Sequence, residues 1–392
     1  MPWKRRPFGG RDFSRALNIA DLRAVARRRV PHFVFEYVEG GSEDEAALRG
    51  NRAAFESLRL IPQTLVDTRN RHLQTEILGR PAAAPLIIGP TGLNGMLHPD
   101  GDIGLARAAA RLGIPFTLST MSTTRLEDVA KQAGGRLWMQ LYVMKNRAIA
   151  EDIMTRAAAA GYEALVFTTD ANVFGSREWD RRSYVAPGKP TLWAKLDALR
   201  HPGWLQSVVL RQGIPRFRNL EAFLPPGAAD AVGGSTIIPQ LFEPTLTWND
   251  ITWIRRLWPR KLLIKGVLNV ADAERAGTLG CDGIVLTNHG GRQLDYCVAG
   301  MDVLPEIVAA VGKRLSIFVD GGFRRGTDVV KALASGANAA LTGRATLYGL
   351  AANGERGVQR ALEILTTEID RVMGQLGANS VGDLGPNILR RG

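Results

Sequence analysis

Residues 261–349 read KLLIKGVLNVADAERAGTLGCDGIVLTNHGGRQLDYCVAGMDVLPEIVAAVGKRLSIFVDGGFRRGTDVVKALASGANAALTGRATLYG. Four short apolar runs lie in this stretch: KLLIKGV (261–267), GIVLTN (283–288), LSIFVD (315–320) and AALTGR (339–344). Each run ends in polar or small residues, and helical patterns such as VADAERAGTLG (270–280) and GTDVVKALASG (326–336) separate them. The runs are continuously apolar rather than alternating, which marks strands covered on both faces, as in a parallel sheet wrapped by helices. Several helical stretches close on glycine, where a C-cap is expected.

Upstream, the same unit recurs in PLIIGP (85–90), PFTLST (115–120), LWMQLYV (137–143) and ALVFTTD (164–170), spaced by IGLARAAARLG (103–113) and IAEDIMTRAAAAG (149–161). Eight such units are best satisfied by a closed (β/α)8 TIM barrel, an α/β fold, with a doubly wound open sheet as the alternative. Run starts are spaced evenly except between 164 and 261, where about 70 residues are in excess; a loop after a barrel strand overhangs the catalytic face. The expected organisation is an N-terminal helical extension (1–80) and a barrel (81–392) carrying an insertion or lid (178–245). The extension holds IADLRAVARRR (19–29) and PHFVFEYVEGG (31–41), expected to cover the barrel bottom and send a segment toward the top. From about Gly354 the chain reads as a last amphipathic helix and a short basic tail.

Composition bounds the function classes. With 45% hydrophobic and 22% charged residues, the chain is neither disordered nor collagenous nor a coiled coil. Its two cysteines, Cys281 and Cys297, form neither a disulfide framework nor a metal-ligand spacing, so no metal is expected. The start, MPWKRRPFGGRDFSR, is basic without the apolar run of a signal peptide, and no uncharged apolar stretch of ~18 residues predicts a transmembrane helix. The net charge of +12 suits nucleic acid, an anionic membrane surface or an anionic substrate.

Catalysis in a TIM barrel is built at the C-terminal strand ends. Those ends carry Gln140 and Tyr142, Thr168 and Asp170, Lys265, and Thr287 with His289. Lys265 closes an apolar run, so its ammonium is desolvated and faces either a neighbouring carboxylate or a ligand anion. His289 sits in LTNHGGRQLD, where glycines let backbone approach a ligand and Arg292 follows three residues later. After the last two runs come DGGFRRG (320–326) and TGRATLYG (342–349), which place glycine amides and arginines at loop-to-helix junctions where phosphate binds.

These motifs together, LIKGVL, GIVLTNHGGRQLD, FVDGGFRRGTDVVKALASGA and TGRATLYGLA, resemble the FMN-dependent L-2-hydroxy-acid oxidases and dehydrogenases from about Asp21 to the C-terminal helix. LIIGPTGLNG (86–95), WPRKLLIKG (258–266) and GRATLYGLAA (343–352) are most similar to the membrane-associated (S)-mandelate dehydrogenases, with respiratory L-lactate dehydrogenases next. The resemblance implies FMN as cofactor, His289 as base and Asp170 as its partner. It implies Arg177 and Arg292 on the substrate carboxylate, Tyr37 and Tyr142 hydrogen-bonding the substrate, and Lys265 beside the flavin ring. Gly89, Ser119, Gln140, Thr168 and Thr287 match flavin-contacting positions, Asp320 the ribityl region, and Gly322, Arg324, Gly343 and Arg344 the phosphate. Gly92 stands where other members often carry alanine, beside the flavin, and Met121 where glycolate oxidase has tryptophan. Both leave room for an aromatic 2-hydroxy acid.

The implied reaction is oxidation of (S)-mandelate to benzoylformate with electrons passed to a membrane quinone. An L-lactate dehydrogenase, an oxidase using oxygen, and a non-catalytic peripheral barrel are the alternatives. The resemblance also implies a homotetramer. Residues 181–220 carry eight basic side chains against Asp197 alone, mixed with Trp193, Leu196, Leu199, Trp204, Leu205 and Val208 through Leu210. That mixture predicts a segment lying on an anionic membrane surface, peripheral on the cytoplasmic side of the inner membrane, or a charged lid packed on the barrel. No nucleic-acid motif accompanies it.

Overall fold

The computed structural model describes residues 8–225 and 227–392, so the basic start, residues 1–7, lies outside the described residues. Eight strands close a parallel barrel: β1 (Leu86–Ile88), β2 (Pro115–Leu118), β3 (Arg136–Leu141), β4 (Ala164–Thr168), β5 (Lys261–Val267), β6 (Gly283–Leu286), β7 (Ser316–Asp320) and β8 (Ala339–Thr342). They pair in sequence order, β8 closing on β1. This is the (β/α)8 TIM barrel expected from the eight runs, not the open sheet.

Two separate cores explain why the strands read as unbroken apolar runs. Ile87, Trp138, Val166, Leu263, Val285, Phe318 and Leu341 fill the barrel interior. Their neighbours along each strand, among them Leu86, Leu165, Phe167, Ile264 and Ile317, face outward under the helices. A side chain pointing either way is therefore buried. Packing the interior closes it to water, which leaves the strand ends as the place for polar chemistry.

The N-terminal residues do more than the expected covering. A hairpin, Thr75–Ile77 with Arg80–Ala82, plugs the barrel bottom, and its Ile77, Leu78 and Ala82 join the inner core. The helices do not lie there. Helix α1 (Ile19–Arg29) packs on the long C-terminal helix, Arg344–Leu376. Helices α2 (His32–Glu39) and α3 (Ala46–Glu56) reach the catalytic rim: Arg292 and Arg344 bond the carbonyls at the end of α2, and Asn51 of α3 bonds Asn288. The final helix begins before Gly354 and breaks there, where Asn353 and Gly354 leave helical geometry. The basic tail is also ordered: Leu389–Arg391 pairs antiparallel with Leu58–Leu60.

Phe318 is fully buried in the inner core, its ring 5.9 Å from that of Trp138. Phe318→Ala is expected to cost about 3–5 kcal/mol of stability, measured by urea unfolding at fixed FMN concentration. A loss below about 1 kcal/mol would mean that the interior relaxes around the gap.

Candidate active site

Polar side chains form a nearly continuous ring round the C-terminal rim. From β2 to β4, Ser119 Oγ and Thr120 N–H donate to Gln140 Oε1, and Gln140 Nε2 donates to Thr168 Oγ1. Parallel register sets Lys265 of β5 level with Thr168 of β4 and Val285 of β6. Its ammonium lies 3.7 Å from Asp320 and 4.0 Å from Asp170, so two neighbouring carboxylates face it. Thr287 then links Asp320, to which its hydroxyl donates at 3.0 Å, with the His289 N–H, which it accepts.

His289 follows β6 in a loop with three successive positive φ values: 59° at His289, then Gly290 and Gly291. A side chain at Gly291 would meet the backbone of Leu48 in α3, so only glycine lets the helix seat against the loop. The histidine itself is strained, and reciprocal amide bonds between Asn51 and Asn288 hold its loop in place. Nδ1 of His289 is 2.8 Å from Asp170 Oδ1. An ionised carboxylate only accepts, so Nδ1 carries the proton and Nε2 is left as the basic nitrogen. Nε2 faces the Tyr142 hydroxyl at 3.5 Å.

The surroundings keep His289 neutral. Burial pushes its pKa down, Asp170 pulls it back up, and the Lys265 and Arg177 charges push it down again, for a net fall below the ordinary histidine value. Burial would raise the Asp170 carboxyl, but its pairing with the His289 ring, the Lys265 charge and the hydrogen bonds it accepts hold it below the ordinary carboxylate value. A neutral imidazole beside an ionised carboxylate is a base ready to take a proton.

Opposite this pair lies a cationic cradle. Arg292 donates to the Tyr37 and Gly40 carbonyls at the end of α2 and lies 5.3 Å from the centre of the Tyr37 ring. The Arg177 Nε–H points at the Arg292 carbonyl, 3.4 Å away. Burial first and the Arg292 charge second lower Arg177 to about 10, still charged at neutral pH. Two close guanidiniums facing a histidine and two tyrosines suit a small carboxylate with an adjacent hydroxyl. Asp180 adds a carboxylate that the sequence reading did not single out. Its Oδ1 is buried beside Gly40 with no hydrogen-bond partner, within the field of Arg292, Arg177 and Arg344.

The two glycine loops differ in what they offer an anion. After β7, the Arg324 and Arg325 amides are taken by Asp328, and the Gly326 amide by Glu368. After β8, Gly343 opens the long C-terminal helix with no side-chain cap, so that N-terminus keeps free N–H groups. A side chain at Gly343 would meet nothing closer than a Thr91 methyl at 3.9 Å, which marks open space over this cradle. Arg344 spends three donors on the Val38, Gly290 and Gly40 carbonyls, leaving two of its five for a ligand. Arg324 lies in its field and over the Tyr348 ring. A flavin phosphate fits this donor set, and the ring of Gln140, Thr168 and Lys265 leads from it toward His289. Gly89 starts the loop after β1, its amide bonded to Thr342 O, and Gly322 sits against α3.

Asn51, Asn288 and Asp102 also escaped the sequence reading. Asn51 alone left a signal, falling at helical spacing among the apolar Ala47, Ala54 and Phe55.

The FMN-dependent dehydrogenase family model matches residues 26–391. (S)-Mandelate dehydrogenase of Pseudomonas putida is 45% identical over 374 residues, covering 95% of this chain and 93% of that protein. L-lactate dehydrogenase of Yersinia pestis (strain Pestoides F) is 39% identical over 366 residues, covering 93% and 95%. Among solved structures, the monotopic membrane protein (S)-mandelate dehydrogenase superposes with a TM-score of 0.92 at 43% identity, covering 96% of this chain and all of that one.

Because Asp170 raises the His289 pKa both by charge and by hydrogen bond, Asp170→Asn is expected to lower it further. In an NMR titration the imidazole midpoint moves to lower pH; a move to higher pH would show that Asp170 is not ionised beside it.

Proposed function

From a chain that belongs to the FMN-dependent dehydrogenase family, we propose an enzyme that oxidises (S)-mandelate, or a close aromatic L-2-hydroxy acid, to the 2-oxo acid. The observation that carries the reading is the neutral His289, bonded to Asp170 and facing Tyr142 beside two guanidiniums. Arg177 and Arg292 hold the substrate carboxylate, and Tyr37 and Tyr142 accept or donate at its oxygens. His289 Nε2 removes a proton from the substrate, and Asp170 stabilises the imidazolium that forms. FMN, when bound, supplies the two-electron acceptor. Lys265 would set its positive charge beside the flavin ring and favour its uptake of electrons, Gln140 and Thr168 would hold the ring, and Arg324, Arg344 and the Gly343 amide would hold the phosphate.

The loop after β1 packs directly on Met121 at Gly92, where a side chain would meet Met121 Cβ at 2.8 Å, so this wall requires glycine. Identity is higher to the (S)-mandelate dehydrogenase, at 45%, than to the L-lactate dehydrogenase, at 39%.

The electron acceptor is a membrane quinone, reached by a protein lying on the cytoplasmic face of the inner membrane as a homotetramer. Support for the membrane location comes from the insertion, whose apolar residues divide into two faces. Val208 and Phe217 are buried, and Trp204 donates its indole N–H to the Met96 carbonyl at 2.7 Å. Trp193 and Leu210 are 78% and 80% exposed, with Leu192, Leu199 and Val185 exposed beside them. One face is a lid on the barrel; the other offers apolar side chains among basic ones to an anionic lipid surface. No helix among the described residues is long and apolar enough to cross a membrane.

Anaerobic bleaching of the flavin across glycolate, L-lactate and (S)-mandelate tests the reaction. Mandelate should give the highest kcat/KM, and His289→Ala should lower it by about 10²–10⁴-fold. Bleaching by glycolate alone, or by none of the three, overturns the assignment. Reoxidation is expected to be faster with a soluble quinone analogue than with air. In flotation with anionic liposomes, the full chain rises and a chain lacking residues 181–220 stays behind; equal flotation removes the membrane reading.

A further inference from the structure

Asp102 is a fully buried carboxylate in the first turn of the helix Gly101–Leu112. It belongs to none of the groups that face the substrate or the flavin. Its Oδ1 accepts from Asn94 Nδ2 at 2.7 Å. Its Oδ2 accepts from Ser122 Oγ at 2.7 Å, Thr123 N–H at 3.1 Å and Thr123 Oγ1 at 3.2 Å. Asn94 lies in the loop after β1, and Ser122 and Thr123 lie in the loop after β2. One carboxyl group therefore ties two rim loops to a helix end, burial raising its pKa and the Ser122, Asn94 and Thr123 hydrogen bonds opposing that rise.

The same two loops form the wall assigned above to the substrate's substituent. Leu93 N–H donates to the Met121 carbonyl at 3.0 Å, and Gly95 N–H to Thr123 Oγ1 at 3.0 Å. Gly92 lies against Met121, and its carbonyl accepts from the Tyr37 hydroxyl at 3.2 Å. Between Gly92 and Asn94, Leu93 is held at φ 56°, a left-handed conformation that costs a branched side chain of the order of 1 kcal/mol or more. Such strain persists only where the surroundings over-determine it. Here Asn94 on one side of Leu93 is clamped by Asp102, and Met121 on the other loop is next to the clamped Ser122.

We propose that Asp102 is a positioning residue that sets the width of the substrate pocket, by locking the Gly92 loop at a fixed distance from Met121. It acts through Asn94, Ser122 and Thr123 and touches no reacting atom. The inference rests on the 2-hydroxy-acid reading above, since it assigns the Gly92–Met121 wall to the substrate's variable group. In wild type the lock holds the pocket open for an aromatic ring. Without it Leu93 relaxes, the wall moves, and the fit to a large substituent is lost while Arg177, Arg292 and His289 stay in place.

Asp102→Asn tests this. The amide has the shape of the carboxylate, but wherever its N–H2 lies it opposes a group that can only donate, Asn94 Nδ2 on one side or the Thr123 N–H on the other, so one bond to a rim loop is lost. The expected result is a fall of about tenfold or more in the ratio of kcat/KM for (S)-mandelate to that for L-lactate, read as anaerobic flavin reduction, with FMN still bound. An equal loss for both substrates, or an unchanged ratio with only a lower melting temperature, overturns the proposal and leaves Asp102 a stability residue. Should Asp102→Asn fail to fold, Thr123→Val decides. It keeps the shape and the Thr123 N–H bond but removes the hydroxyl joining Gly95 to Asp102, and it should move the ratio in the same direction by about threefold. An unchanged ratio in Thr123→Val counts against the proposal as well. Wild-type protein that neither substrate bleaches would instead overturn the parent reading, whatever the variants do.

Discussion

Closing eight parallel strands into a barrel puts every strand C-terminus at one rim, and filling the interior with Trp138, Phe318, Leu263 and Ile87 leaves no wet space below it. A buried charge is tolerated only when paired or hydrogen-bonded. The rim groups must therefore satisfy one another, which accounts for the run from Ser119 through Gln140 to Thr168, and from Thr287 through Asp320, Lys265 and Asp170 to His289. Lys265 is the hinge between the halves. It lies between two carboxylates without a close hydrogen bond to either, so it can also serve a ligand. An ionised Asp170 then orients the His289 proton onto Nδ1.

The rim is electropositive, and the chain tolerates this through helix α2. A helix end presents free carbonyls with partial negative charge. Arg292 and Arg344 both cap that end, at Tyr37, Val38 and Gly40, while Asp180 lies buried in their field. Burial and the Arg292 charge lower Arg344 to about 10, so the like charges repel but remain charged. An anionic ligand relieves that repulsion, which favours binding of a carboxylate and a phosphate over neutral molecules. The N-terminal helices are thus part of the site: α2 neutralises the arginines and α3 pins the histidine loop through Asn51.

Legibility in the sequence followed how local each signal is. The eight strands could be read because burial on both faces writes itself as unbroken apolar runs such as LLIKGV and SIFVD, and the barrel followed from their number. Residues at strand ends, His289 and Lys265 among them, could be found by position alone. Their partners could be named only through the resemblance, because Asp170 is 119 residues from His289 and nothing in either segment encodes the bond. Asn51 with Asn288 was invisible for the same reason, being joined across 237 residues. Asp102 was invisible for another: at a helix start an acidic residue already has a sufficient local explanation in the dipole. The plug at the barrel bottom was misassigned to helices because a hairpin with strands of three residues leaves too little alternation to read.

The insertion brings the charge and the site together. Its first helical turn, Glu178–Arg182, begins directly after Arg177 and carries Asp180 beneath the arginine cradle, while Trp204 further along is bonded to the loop after β1. The lid is therefore fastened at both sides of the substrate pocket, and the residues between these fastenings turn Leu192, Trp193 and Leu199 outward. A surface binding those side chains would act on a segment already tied to Arg177 and to Met96, three residues from the strained Leu93. Of the overall +12, the part in residues 181–220 faces outward among exposed apolar side chains, whereas the arginines of the rim face inward among carbonyls. The two groups of cations sit in different surroundings, one wet and screened by solvent, the other desolvated among carbonyls.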